Sequence, residues 1–381
     1  MIQNTSKQKN SVNWFILIEL FIFTLIVWFT CSDNAQITSL VFTASFLILL
    51  YRFILYFVGK IKYLDSLDSY LLLIIVSSFI SVFLSFLKSD MPITFEGMKN
   101  YFIFLCTVIF FRLAEDIKIS KKMCHIVFWF NIGISLIYLY FKRIMPFSID
   151  LNFSNPNLAG IFVFVSLVLM LLAFIFYKNI FMKIICAILI GSNFIIMYET
   201  EARNVLLAFV LFAVVVFLTL FKGKLRYSKA FNLIINITPA VFVALYLGFI
   251  DKIIMSGKLD FLVSEGKGLN SRVEVWEERF DIIDGLWLTG DYVNASGNAH
   301  NSHMVLLCSF GIVVMVLVTM FVYKIINKIS NRINNKFQTY CLAGFFAVIF
   351  MGFGEGALYS GGVGIYIPCG LFLVMANSDF G

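Results

Sequence analysis

Apolar residues fall along this chain in long blocks, separated by short polar turns and by one long polar interval. The first block runs from Trp14 to Thr30, and others follow at 38–58, 70–87, 100–113, 123–141, 159–177, 182–198, 204–221, 230–250, 303–323, 338–353 and 356–375. A membrane-crossing helix needs about 20 predominantly apolar residues, so the pattern predicts about twelve transmembrane helices. The fourth and eleventh blocks are the shortest. Lys7 and Lys9 precede the first block, Trp14 and Trp28 sit near its ends, and Glu19 lies inside it. No small-residue cleavage site follows, so it is expected to be an uncleaved span.

The polar interval reaches its most patterned part between Asn270 and Gly311. Ser271 followed by Glu274 fits a capping box at a helix start. Val273, Trp276, Phe280, Ile283 and Trp287 recur at steps of three and four, which gives one apolar helix face. Arg272 and Arg279 are seven residues apart, about 10 Å along a helix axis, and flank that face. Such a helix is expected to lie on a membrane surface and to point two guanidinium groups at the headgroup region. His300-Asn301 then stands at the mouth of the next apolar block.

Composition agrees with the pattern. Of 381 residues 61% are hydrophobic and only 13% charged, against about half and a quarter in soluble domains. The expected fold is an all-α polytopic membrane protein, a single integral membrane domain over 1–381, with one external loop at 251–302 carrying the amphipathic helix. The net charge of +7 is therefore read by position, and nucleic acid is not an expected partner. With a cytoplasmic N-terminus, the inner segments hold eighteen Lys and Arg and the outer segments ten, five of which belong to the 251–302 loop. That bias predicts cytoplasmic termini and an outward-facing loop. The turns at 143–160, 200–203 and 352–356 would share the outer face.

Cys31, Cys106, Cys124, Cys186, Cys308, Cys341 and Cys369 all lie in or beside apolar blocks. They read as small hydrophobes, not as disulfides or metal ligands. The three histidines, His125, His300 and His303, form no ligand motif, and neither a metal nor a cofactor is expected. His303 reads as structural. Glu19 and Arg52 read as paired residues of the bundle, and the glycines from Gly352 to Gly364 as allowing close packing or a bent segment.

Four elements resemble the O-antigen polymerase and ligase superfamily of bacterial envelope glycosyltransferases. Asn155-Pro156-Asn157-Leu158-Ala159 looks like the element that opens a span in that family, and Arg203-x3-Leu207 like its arginine element. Arg272-x3-Trp276 with Arg279-x10-Gly290 looks like its external loop, and His300-Asn301-x9-Gly311 fits its histidine element. Departures occur at Glu201, where the family has a small residue, at Val314, and at Leu286-Trp287, where a proline is often found.

The resemblance implies glycosyl transfer from a polyprenyl-diphosphate-linked saccharide at the outer face of a bacterial cytoplasmic membrane. It assigns His300 and Arg203 to catalysis, and Arg272, Arg279, Asn157 and Asn301 to binding the diphosphate or glycan. Arginine suits a leaving diphosphate because its planar fork bonds phosphate oxygens bidentately. Histidine suits the activation of a sugar hydroxyl. The partners it implies are the lipid-linked saccharide and the bilayer, and a chain-length regulator is compatible with it. Structural roles stand beside these: snorkelling for Arg203, solvation of an acidic helix for Arg272 and Arg279, and capping for His300. Within the family the expected activity is repeat-unit polymerisation in O-antigen or capsule synthesis, with a ligase acting on lipid A core or another final acceptor as the alternative. A polysaccharide flippase is the alternative of another class. It would place polar residues through the bundle interior and needs no motif in the loop.

Overall fold

The computed structural model describes residues 2–31, 35–60, 64–89, 92–144, 156–222, 227–245, 270–295, 299–356, 358–359 and 364–379. Helix makes up 85% of the structure, and no strand occurs among the described residues. In chain order the helices are α1 Ile2–Cys31, α2 Ala35–Lys60, α3 Ser66–Ser89, α4 Phe95–Asp116, α5 Lys121–Ile144, α6 Pro156–Phe176 and α7 Ile180–Glu199. There follow α8 Arg203–Lys222, α9 Lys229–Leu245, α10 Asn270–Ile282, α11 Tyr292–Ala295, α12 Ser302–Ser330, α13 Lys336–Met351 and α14 Tyr366–Asn377.

A helix stands at each of the twelve apolar blocks, but not all have the length of a span. Among the described residues, seven stretches are long and apolar enough to cross a membrane: Trp14–Cys31, Ser66–Ser89, Lys121–Lys142, Asn157–Phe176, Ile180–Glu199, Arg203–Phe221 and Ser302–Ser330. Helices α9, α13 and α14 are shorter, at 17, 16 and 12 residues. The last block was expected to start at 356, yet α14 begins only at Tyr366 and runs for 12 residues, about 18 Å.

One end of the bundle is closed by charge. Arg112, fully buried near the end of α4, donates from Nε to Asp68 at 2.7 Å and from Nη2 to Asp65 at 3.1 Å. Its Nη1 reaches Glu115 and Asp116, each at 3.1 Å. Glu115 also takes Lys328 at 2.9 Å, from the end of α12, and Arg332 at 3.0 Å, from the turn that follows it. Asn377, the last residue of α14, donates to the carbonyls of Glu115 and Ile117. Charges that would be costly alone are thus matched in one knot joining α3, α4, α12 and α14. A smaller polar group sits inside the bundle. Asn131 and Ser135 of α5, Ser166 of α6 and Asn193 of α7 hydrogen-bond one another and so tie three apolar helices together.

The unexpected feature is α12. Its sequence reads as one uninterrupted span, but Gly311 inside it has φ 81 and ψ 172, far from helical values. His303 Nε2 lies 3.2 Å from Thr319 Oγ1. In a straight helix sixteen residues would separate them by about 24 Å. The arm 302–310 therefore folds back along the arm that begins at Ile312, with Gly311 at the tip of a helical hairpin. Thr319 lies eight residues past the tip, so His303 sits about 12 Å from the tip along the hairpin. The Thr319 hydroxyl donates to the Met315 carbonyl. His303 must then be the donor in its bond with Thr319, which assigns its proton to Nε2.

Candidate functional site

Two glycines fix the hairpin tip. Gly290 (φ 65) and Gly311 (φ 81) are both left-handed. A Cβ on Gly290 would stand 2.7 Å from the Cys308 carbonyl oxygen and from the Gly311 nitrogen. One on Gly311 would collide with the Leu288 carbonyl. Backbone lies directly on backbone here, and only glycine permits both the conformation and the approach. Ile312 N–H donates to the Trp287 carbonyl and Asp291 N–H to that of Cys308, each at 2.8 Å. The two glycines of the sequence motifs are thus each other's partners.

The segment between them is anchored to α3 and α4. Ser85 Oγ donates to Asp291 Oδ1 at 2.7 Å and accepts from Val293 N–H at 2.8 Å. Asp291 also accepts from the backbone and side-chain nitrogens of Asn294. Tyr292 Oη accepts from Tyr101 N–H at 3.0 Å, and burial pushes its phenol above the ordinary range. That bond accordingly persists as a neutral one through physiological pH.

The amphipathic helix α10 is shorter than its apolar face suggested and is not simply laid on a surface. Trp276 and Ile283 are wholly buried, while Trp287 is 41% exposed beyond the helix end. Trp276 Nε1 donates to the Ala299 carbonyl at 2.8 Å, directly before His300. Arg279 is half-buried rather than freely solvated, and its Nη1 donates to the Asn294 carbonyl at 2.7 Å. Arg272 is part of α10, but its side chain lies outside the described residues, as do the capping pair Ser271 and Glu274, Asn155, and the loop residues 251–269 and 296–298.

His300 itself takes φ 49, a left-handed value that side chains other than glycine rarely adopt. Its Nδ1 lies 3.8 Å from Glu355 Oε2. The imidazole keeps 30% of its surface exposed whereas the carboxylate keeps 1%. Asn301 holds this geometry. Its Oδ1 accepts from His303 N–H at 2.9 Å and Met304 N–H at 3.0 Å, capping the inner arm of the hairpin. Its Nδ2 donates to the carbonyls of Pro239 and Phe353 at 2.8 and 3.1 Å. All four hydrogen bonds that an amide side chain can make are thus used within the protein. Ser302 N–H donates to Gly352 O at 2.8 Å, which completes the docking of the Gly352–Glu355 turn on residues 300–302.

Arg203 and Asn157 form a second pair of helix starts. Arg203 opens α8 and is exposed; Asn157, at the start of α6, is half-buried. A Cβ on Gly160 would lie 2.8 Å from Ala202 Cβ and 2.9 Å from Thr200 Oγ1, so the turn before Arg203 packs directly on the first turn of α6. Glu201 in that turn has φ 52. That left-handed conformation is one that residues bearing a Cβ rarely adopt. Glu201 and His300 are the only described residues other than glycine with positive φ.

The two groups share one level of the bundle. Helix α13 packs against α6, α8 and α9. Its Phe337 ring lies 5.7 Å from that of Phe176, and a Cβ on Gly344 would stand 2.9 Å from Val168. The helices are therefore antiparallel, and Gly352 comes level with Gly160. The turn bearing Glu355 consequently lies at the depth of the α6 and α8 starts, at the end of the bundle opposite the Arg112 knot.

Sequence reasoning noticed Glu355 only as part of a glycine-rich turn and gave it no role. Asp291 and Ser85 were not singled out, because their meaning depends on contacts with distant segments. Compared with known proteins, the chain matches no family model and no curated sequence.

Proposed function

We propose that this protein is a membrane glycosyltransferase that joins polyprenyl-diphosphate-linked oligosaccharide repeat units in O-antigen or capsular polysaccharide synthesis. The observation that carries the reading is the convergence of its motif segments. Gly290 lies on Gly311, the Arg203 turn lies on the start of α6, and the Glu355 turn lies on His300 at the same depth. Backbone held in left-handed conformations at His300 and beside Arg203 adds to it, since such conformations collect where function requires them.

The chemistry follows from the residue types. His300 takes the proton of the acceptor sugar hydroxyl as its oxygen attacks the anomeric carbon of the donor. The bond from that carbon to the diphosphate oxygen breaks, and the lipid diphosphate leaves with the electron pair. Glu355, on the Nδ1 side of the imidazole, orients the ring and stabilises the imidazolium that forms; Nε2 is then the nitrogen that faces the acceptor. Arg203, with Arg272 and Arg279, meets the charge growing on the diphosphate. A donor placed where that charge develops, once the bound lipid-linked substrate excludes water, contributes on the order of 3 kcal/mol to barrier lowering. The protein resides in the bacterial cytoplasmic membrane with the Arg112 knot inside and the His300 level towards the outside.

Detergent-purified protein supplied with lipid-linked repeat units isolated from the native host tests this. It should build a ladder of longer lipid-linked glycans with no other acceptor present. Transfer that occurs only when lipid A core or another final acceptor is added would make it a ligase. Transbilayer movement of the lipid-linked unit in vesicles without bond formation would make it a flippase.

A further inference from the structure

Glu19 is fully buried in α1, in the middle of an apolar block. Its Oε2 lies 3.0 Å from Ser45 Oγ of α2, and that oxygen lies 2.5 Å from Tyr366 Oη at the start of α14. Cys106 of α4 lies beside the same phenol. Four helices therefore enclose the carboxyl. Its other oxygen, Oε1, is buried and has no hydrogen-bond partner. No cation pairs with it among the described residues. Arg52 of α2 lies seven residues past Ser45, about 10 Å along the helix.

This arrangement suits an acid and not an anion. A carboxylate in an apolar interior needs several donors or a counter-charge, and this one is offered a single hydroxyl. With a proton on Oε2 the balance changes. Glu19 then donates to Ser45, Ser45 donates to Tyr366, and Oε1 becomes a neutral carbonyl oxygen, whose missing partner costs far less. We infer that Glu19, Ser45 and Tyr366 form an intramembrane proton-binding site in which Glu19 is held as the neutral carboxylic acid. The inference rests on these contacts alone and is independent of the glycosyltransferase reading.

Infrared difference spectroscopy on the full-length protein in lipid vesicles decides it. Glu19→Gln keeps a donor for Ser45 and should fold normally; subtracting its spectrum from that of the unsubstituted protein should leave a protonated-carboxyl stretching band. If the subtraction leaves carboxylate bands instead, the inference is overturned. Ser45→Ala retains the acid but removes its acceptor, so the same band should move to higher frequency. This second variant decides the matter if Glu19→Gln fails to fold, and an unchanged protonated-carboxyl region would then overturn the inference.

Discussion

His300 Nδ1 lies 3.8 Å from Glu355 Oε2, with the imidazole partly open and the carboxylate almost wholly enclosed. The separation is longer than a hydrogen bond but within ion-pair range, so the pair tightens most when the ring carries a proton. Glu355→Gln removes the charge and preserves the shape. In the purified polymerisation assay it should lower the elongation rate per folded molecule by at least tenfold while leaving donor binding within about twofold. An unchanged rate would leave Glu355 with only a packing role.

The hairpin tip predicts a sharp contrast between glycines. Gly285 is left-handed (φ 74) with open space around its missing Cβ, so Gly285→Ala should cost only the conformational penalty, about 1–2 kcal/mol. Gly311→Ala would force a methyl into the Leu288 carbonyl. It should lower the melting temperature much further, or stop accumulation of folded protein. Thermal unfolding of the two variants in one detergent makes the comparison, and equal losses would contradict the backbone-on-backbone tip.

Arg112→Leu should be strongly destabilising, by about 3–5 kcal/mol, because it leaves the buried carboxylates of Asp68 and Glu115 without their central cation. The knot is distant from His300, so the rate per folded molecule should change little. A Leu variant with normal thermal stability would show that Lys328 and Arg332 suffice.

Most of the helices were legible from the sequence, because long apolar blocks bounded by charge have few alternatives. The hairpin in α12 was not. Residues on both sides of Gly311 are equally apolar, and only contacts with Leu288 and Thr319 reveal the reversal. His300 and Gly311 were legible as motif residues, whereas the pairing of His300 with Glu355 joins segments far apart in sequence. Lys328 and Arg332 were counted for orientation, but their carboxylate partners depend on how α3, α4 and α12 meet. The resemblance assigns Asn301 to substrate, and the four hydrogen bonds its side chain makes within the protein come from segments the sequence does not bring together.

Orientation is testable with single cysteines, since all seven native ones are buried. Leu288 is 68% exposed near the hairpin tip and Leu64 is 41% exposed beside the Arg112 knot. Leu288→Cys should react with a membrane-impermeant thiol reagent in intact cells, and Leu64→Cys only after lysis. The reverse pattern would place the His300 level on the cytoplasmic side.

Arg203 separates bidentate grip from simple charge. Arg203→Lys keeps a cation at the start of α8 but not the planar fork. Polymer formed in cells should fall at least tenfold at equal protein level. Normal polymer from the lysine variant would return Arg203 to the role of an interfacial anchor.

The account stands or falls on His300 as the base. With purified lipid-linked repeat units, His300→Ala should bind donor as the unsubstituted protein does yet elongate it about two to four powers of ten more slowly. Elongation by folded His300→Ala protein at a near-normal rate would contradict it.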